Sequence, residues 1–354
     1  MYNKQPSLFG LNHSNRDFSN KNAWGKNQFN SSFPAALCAY FSNKGLCANY
    51  LTVSNGTFVN MPIAISQLFN TQANILNDVF YAFESVYSPY NHYIKGRLPR
   101  TDLVIQDMNG KCLRGLEVKL TALPDQATFE RLDDSYGTEI VVRPDTIVYL
   151  ACSIIENLER INFNKSQLYN LSLHELDEPL EAIDLSSTIL SMLKFIVQTL
   201  SFAQFSSPIL VQPVWKTKGK QPTLADNCLD VFVWSDIGFT QFVHDIAEPV
   251  LRTGKMTRQY RTAVWLYKMI SDYFFQESFD HHHIIDKLSY NLKNDKAFSS
   301  SGAMTNSYMR CDNLTRPRIQ KSEIKNIILN DGHLLLSPER RFDAIIFNSP
   351  DIFE

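Results

Sequence analysis

The chain has 354 residues, is 44% hydrophobic and carries a formal net charge of −2. That apolar content supports a large core, as one elaborated domain or a core with a smaller lobe. No run approaches the ~20 apolar residues of a membrane span, and the start, Met-Tyr-Asn-Lys-Gln-Pro, lacks an apolar leader. The six cysteines (38, 47, 112, 152, 228, 311) are scattered without a Cys-x-x-Cys pair, which points to reduced structural thiols in a cytoplasm.

The overall charge does not mark a nucleic-acid binder, but its distribution is uneven. Residues 122–190 hold 13 Asp and Glu against 4 Lys and Arg, whereas residues 252–345 hold 15 Lys and Arg against 10 Asp and Glu. A locally basic face can contact phosphates while the molecule stays near neutral.

Along the chain, residues 1–30 are rich in Asn, Ser and Lys and read as a polar arm. Ser31 or Ser32 caps a predicted short helix begun by Pro34 and running through Leu37 to Phe41. Leu76, Val79, Phe80, Phe83, Tyr87 and Tyr90 recur at helical spacing, which predicts a second helix. A hairpin is predicted over about 102–121. Pro144 opens a helix with apolar positions Ile147, Leu150, Ala151, Ile154, Ile155 and Leu158. Residues 186–203 read as a mostly buried helix. Ile209–Trp215 and Leu229–Trp234 read as strands about a turn-rich Lys216–Pro222 segment, and 260–276 as an aromatic-rich helix. Beyond about 280 the pattern is looser, apart from a hairpin at Asp331-Gly332 and a strand at Ala344–Phe347. The pattern is α/β (α+β), a single domain over 1–354 with the arm and a C-terminal elaboration (about 280–354).

The hairpin carries the chemistry. Asn109-Gly110 lies between two apolar-patterned runs, a strong signal for a two-residue type I′ turn. Met108 then pairs with Lys111, every pair sums to 219, and Asp102 falls opposite Glu117. Alternation puts both carboxylates on one face, with Lys119 two residues along. Opposed Cβ atoms lie roughly 4.5–5.5 Å apart, close enough for both acids to ligate one hard cation. The other face carries Leu103 opposite Leu116, with Ile105, Val118 and Leu120. Two opposed carboxylates repel unless a cation compensates them.

Asp102…Glu117-x-Lys119 on a hairpin resembles the PD-(D/E)xK nuclease superfamily. The stretch Leu116-Glu-Val-Lys-Leu-Thr-Ala-Leu-Pro-Asp125 resembles type II restriction endonucleases of the HindVP kind. So do Asn227-Cys-Leu-Asp-Val-Phe-Val-Trp-Ser-Asp236 and Ser337–Pro350, so the resemblance spans most of the chain. Pro99 stands three residues before Asp102 rather than next to it, so pairing register selects Asp102. The resemblance implies a restriction-endonuclease-like core, a mixed central sheet flanked by helices. It also implies that Asp102, Glu117 and the Val118 carbonyl hold Mg²⁺. Lys119 then positions or deprotonates the attacking water and stabilises developing negative charge. Glu84, at the edge of the second helix's apolar stripe, is the candidate for an additional acid, whereas Asp78 points away.

Other patterns have plainer readings. Glu323-Ile-Lys325 is a rival tripeptide, but Arg-Pro-Arg separates it from its upstream acid Asp312. His281-His-His283 cannot readily converge on one ion and has no spaced partner. Arg252, Lys255, Arg258 and Arg261 recur every three residues along one side of a helix start, where they bind phosphates or face solvent. Lys216, Lys218 and Lys220 share that ambiguity. Arg340 and Arg341 precede the last strand, within reach of guanine edges in a groove.

Three functions remain open on the sequence. The first is a bacterial type II restriction endonuclease, Mg²⁺-dependent and cutting double-stranded DNA at a short site to leave 5′-phosphate and 3′-hydroxyl ends. A twofold-symmetric site implies a homodimer, and a DNA methyltransferase would act on the same site. The others are a structure-specific repair or recombination nuclease and a catalytically silent DNA-binding protein, disfavoured by the intact Asp102, Glu117 and Lys119.

Overall fold

The computed structural model describes residues 11, 13–16, 26–72, 75, 77–123, 140–164, 166, 176, 178–218, 223–289, 298–300, 308, 319–324 and 349. Helix α1 spans Lys26–Asn43 and leads into a hairpin of β1 (Cys47–Ser54) and β2 (Thr57–Ala64). The short α2 (Ile65–Phe69) and strand β3 (Val79–Ser85) follow, then a 3₁₀ turn over Ser88–Tyr93. Strands β4 (Thr101–Asp107), β5 (Cys112–Val118), β6 (Thr121–Leu123) and β7 (Ile140–Val142) precede helices α3 (Pro144–Arg160), α4 (Pro179–Asp184) and α5 (Ser186–Phe202). Long strands β8 (Pro208–Lys218) and β9 (Thr223–Ser235) lead to α6 (Asp236–Ala247), α7 (Val250–Thr253), α8 (Arg258–Gln276) and α9 (His281–Lys287). Two short strands, β10 (Phe298–Ser300) and β11 (Ile319–Gln320), complete the described elements.

The main sheet runs in the order β2-β1-β9-β8-β5-β4-β3, with β6 also on β8 and β11 on β9. It is mixed: β1 with β9, β5 with β8 and β6 with β8 are parallel, and the other pairs are antiparallel. Strand alternation feeds two cores. Val79, Tyr81, Phe83, Leu103, Ile105, Leu116, Val118, Val211 and Trp215 pack on the α1–α2 side, where Phe33 stacks on Trp215 at 5.2 Å. Ala82, Val104, Leu210, Phe232 and Trp234 pack on the opposite side against α3, α5, α6 and α8. Helices thus cover both faces, as a sheet with two apolar faces requires.

Four expectations need correction. The predicted helix through Leu76–Tyr90 is β3 and the 3₁₀ turn instead. Because β3 is buried on both faces, its apolar run satisfies a helical period as well as a strand's. Its Val, Phe and Tyr content is the strand signal. Helix α1 starts at Lys26, not beside Ser31 and Ser32, and Pro34 lies inside it. Its polar first turns carry no apolar period for a sequence reading to detect. The arm is not wholly loose: Leu11 is buried, and residues 13–15 pair with Tyr81 on the edge of β3. The basic series is broken as well. Arg252 lies in α7, which ends at Gly254 with φ 56°, Lys255 follows that break, and Arg258 starts α8. Arg252, Lys255 and Arg258 are exposed, while Arg261 is buried with its guanidinium 5.0 Å from the Trp265 ring centre. Both 331–332 and 344–347 fall outside the described residues, as do Arg340 and Arg341.

The turn between β4 and β5 also differs. Only Gly110 has a positive φ, at 84°, and Asn109 does not. Gly110 N–H donates to Asp107 O (3.0 Å) and Asp107 N–H to Lys111 O (3.0 Å), so the loop has three residues and pairs sum to 218. Asp107 causes this: its Oδ1 accepts from both Asn109 N–H and Lys111 N–H, each at 2.9 Å, and Asp opening with Gly closing is the type I pattern. The ladder then shifts, with Gln106 on Cys112 but Ile105 on Arg114. The bulge at Leu113 restores the sum of 219 for Val104–Gly115 and Leu103–Leu116. Two departures cancel, and the expected register holds where the acids stand. The two-residue turn with both φ positive occurs instead at Asn55-Gly56 (φ 50° and 75°), closing β1–β2.

Candidate active site

Strand β4 delivers Asp102 and β5 delivers Glu117. Continuing the Leu103–Leu116 register places the two opposite each other. Since Leu103, Leu116 and Val118 face α1, alternation turns both carboxylates to the α3 side. Lys119 closes the cluster. Its Nζ donates to Glu117 Oε1 and lies 3.7 Å from Asp102 Oδ2. Its backbone N–H donates to Val211 O at 2.9 Å, which ties the end of β5 to β8. Asp102 Oδ2 also accepts from Val118 N–H at 2.9 Å.

Glu117 is buried and held from two further sides. Thr101 Oγ1 donates to Leu116 O (2.9 Å) and lies 3.4 Å from Glu117 Oε2, while Thr146 Oγ1, in the first turn of α3, lies 3.3 Å from Glu117 Oε1. These hydroxyls were not singled out in the sequence, where no motif marks them. Gly115, two residues before Glu117, makes room for a neighbour: a Cβ there would stand 2.9 Å from Tyr87 Cβ.

The electrostatics follow from crowding two acids in a half-enclosed corner. Burial pushes the Asp102 carboxyl up to about 6, and Glu117 adds to the rise, against the pull of Lys119, the Val118 N–H and Arg143. Burial alone would lower the Lys119 pKa, but Glu117 and Asp102 outweigh it and raise it, so the ammonium is firmly protonated. Asp145, beside Thr146, is raised by burial and by Glu117, with Arg143 and His282 opposing.

The structure places the other sequence candidates as follows. Glu84 sits on β3 between Phe83, which pairs with Leu103, and Ser85, which pairs with Thr101, so it stands in the row opposite Asp102. It takes a positive φ of 47°, and its Oε1 lies 3.7 Å from Nη2 of Arg16. Arg16 also donates to Ser31 Oγ at 2.8 Å and lies over the Phe83 ring at 4.7 Å. Glu323 accepts from Tyr40 Oη and, at 3.0 Å, from Gln320 N–H, which makes it a packing residue; Asp312 and Lys325 lie outside the described residues. The three histidines open α9, with His281 buried and its pKa lowered to about 4 by burial. In the Asn227–Asp236 stretch, Asp236 is buried and accepts from Ser153 Oγ (2.7 Å), Asn157 Nδ2 (2.6 Å), Ser207 N–H (3.0 Å) and its neighbour Ile237 N–H (2.8 Å). That carboxylate locks α3 to the start of α6 rather than serving the site.

The profile of the HindVP restriction endonuclease family matches residues 24–353. The chain is 47% identical to a probable type II restriction enzyme HindVP of Haemophilus influenzae, over 99% of this chain and 96% of that one. It is 39% identical to the type II restriction enzyme HgiDI of Herpetosiphon aurantiacus, over 99% and 98%. The chain belongs to the HindVP restriction endonuclease family. No solved structure matches it. In this HindVP-family chain, the mixed sheet covered by helices on both faces agrees with the restriction-endonuclease-like core that the resemblance implied. Type II restriction enzymes are site-specific deoxyribonucleases, hydrolases of a restriction-modification system, and generally need divalent metal ions.

The donor set suits such an ion. Asp102 and Glu117 offer hard oxygens, and burial, with the charge of Glu117 adding to it, raises the Asp102 pKa, a strain that a divalent cation would relieve. Among the described residues no three His, Cys, Asp or Glu side chains form a metal-holding group. Two carboxylates suit a hard divalent cation, which takes oxygen ligands.

Proposed function

We propose that this HindVP-family protein cleaves both strands of double-stranded DNA at a short specific site, with Asp102, Glu117 and Lys119 as its catalytic residues. The observation that carries the reading is the convergence of the opposed Asp102 and Glu117 carboxylates on the Lys119 ammonium. Asp102, Glu117 and the Val118 carbonyl would hold Mg²⁺, with Glu84 as an additional acid in the Asp102 row. When bound, the ion supplies Lewis-acid stabilisation of charge at the scissile phosphate. Lys119, protonated and anchored between the acids, orients the attacking water and balances the negative charge that builds on the phosphate. Its raised pKa favours this cationic role over that of a base. Hydrolysis at this centre leaves 5′-phosphate and 3′-hydroxyl ends.

The exposed Arg252, Lys255 and Arg258 at the corner between α7 and α8 supply phosphate contacts. Arg340 and Arg341 are proposed to reach base edges. The protein acts as a homodimer in the bacterial cytoplasm beside a methyltransferase that protects the same site. Purified protein with Mg²⁺ and unmethylated phage-length DNA should give a fixed fragment ladder that EDTA abolishes. A smear, nicking confined to branched junctions, or no cleavage with any divalent metal would overturn the reading.

A further inference from the structure

We infer that Thr146 is a positioning residue, which acts by fixing the orientation of the Glu117 carboxylate. The inference rests on the proposed role of Glu117. A carboxylate on a strand end can rotate about its last torsion, and that freedom must be removed if its oxygens are to present a fixed donor geometry. Glu117 is restrained at both oxygens. Lys119 and Thr146 meet Oε1, the latter at 3.3 Å, and Thr101 meets Oε2 at 3.4 Å. Lys119 is a catalytic group, and Thr101 is committed to Leu116 O at 2.9 Å. Thr146 is the restraint that comes from outside the hairpin.

Its own position is well determined. Thr146 is 2% exposed and lies in the first turn of α3, behind Pro144. One turn on, Tyr149 anchors the same helix to the strands that flank the site. Its Oη donates to Pro99 O at 2.9 Å, just before β4, and accepts from Tyr87 N–H at 3.2 Å, just after β3. Asp236 fixes α3 further along through Ser153 and Asn157. Helix α3 is therefore held independently of Glu117, and Thr146 transmits its position to the carboxylate. Groups that orient a ligating carboxylate without touching the metal typically cost 10–100-fold in affinity or activity when removed.

The test compares Thr146→Val, which keeps the shape and deletes the hydroxyl, with Thr146→Ser, which keeps the hydroxyl. In steady-state cleavage of a plasmid, Thr146→Val should lower kcat about 10-fold with KM unchanged. Calorimetric titration of the DNA-free protein with Mn²⁺ should show an affinity loss of about the same size, and thermal melting should show both variants folded. Thr146→Ser should stay within about 2-fold of wild type in both assays. Wild-type kcat and Mn²⁺ affinity in Thr146→Val would overturn the inference. So would Thr146→Ser failing as badly as Thr146→Val, because packing of the methyl would then be the cause. Glu117→Ala run alongside separates the two readings. Full cleavage by that variant removes the proposed active site itself, whereas an inactive Glu117→Ala beside a normal Thr146→Val refutes only the role of Thr146.

Discussion

At the scale of single residues, the site is defined by opposing demands on Asp102. Its carboxyl is raised to about 6 by burial and by Glu117, so the folded protein keeps a proton between about pH 4 and 6 that the unfolded chain has released. That contribution to stability is present at low pH and is lost as pH rises through 6. Melting of the metal-free protein should therefore show a rise in Tm between pH 7 and pH 5 that Asp102→Asn flattens, and above pH 7 the variant should melt higher than wild type. Adding a divalent cation should reverse the order, because only the wild-type acid pair gains from binding it. Superimposable pH profiles for the two proteins would mean that Asp102 carries no such strain. In turnover, Asp102→Ala, Glu117→Ala and Lys119→Ala should each lose at least ~10²-fold, the scale of removing an electrostatic contributor to the transition state. Gel-shift binding of specific DNA should survive in all three, since each is proposed to act at the scissile phosphate and not on base edges.

At the scale of elements, the hairpin shows what the sequence disclosed and what it concealed. Alternation over Asp102–Ile105 and Leu116–Lys119 was legible because Leu103, Ile105, Leu116 and Val118 share one face while Asp102, Glu117 and Lys119 fall on the other, and that contrast fixed the sheet face of both acids. Asn109-Gly110 was legible as a turn but not as a turn type, since Asp107 competes for the local N–H groups through its own carboxylate. The bulge at Leu113 has no signature in the residues themselves. β3 carries no strand alternation because it is buried on both sides, so its apolar run also fits a helical period. The Glu117 restraints were invisible for another reason: Thr101 and Thr146 are distant in sequence, and only tertiary packing brings them together. The turn chemistry can be tested directly. Gly110→Val forces a β-branched residue to φ 84° and should cost on the order of 1–3 kcal/mol in urea unfolding. Asn109→Ala should be nearly neutral, where a turn with two positive φ values would penalise it. Cleavage per folded molecule should persist in Gly110→Val, because the ladder inward of Ile105 is set beyond the bulge. Deleting Leu113 removes the bulge but leaves Ile105 opposite Arg114, so Glu117 should still face Asp102 and cleavage per folded molecule should persist.

At the scale of the whole molecule, the sheet carries its chemistry toward one edge. β3 is the outer strand beside β4, and the segment before α1 returns to cover it: Asn15 exchanges side-chain hydrogen bonds of 2.9 Å with both Phe83 N–H and Phe83 O. The covering closes an edge that would otherwise invite pairing with another chain, and it carries Arg16 to Glu84. Each chain thus presents one opposed acid pair, among the described residues, near one margin of the fold. In the proposed homodimer, two copies related by the twofold axis of the DNA site would cut one strand each. The consequence is measurable with mixed dimers. Protein assembled from wild-type chains and an excess of Glu117→Ala chains, distinguished by an affinity tag, should convert a supercoiled plasmid mainly to the nicked circle, because each mixed dimer holds one competent centre. Wild-type dimers at equal site occupancy should give the linear form. Linear product from the mixed dimers at the wild-type rate would show that one centre serves both strands, and the homodimer assignment would fall with it.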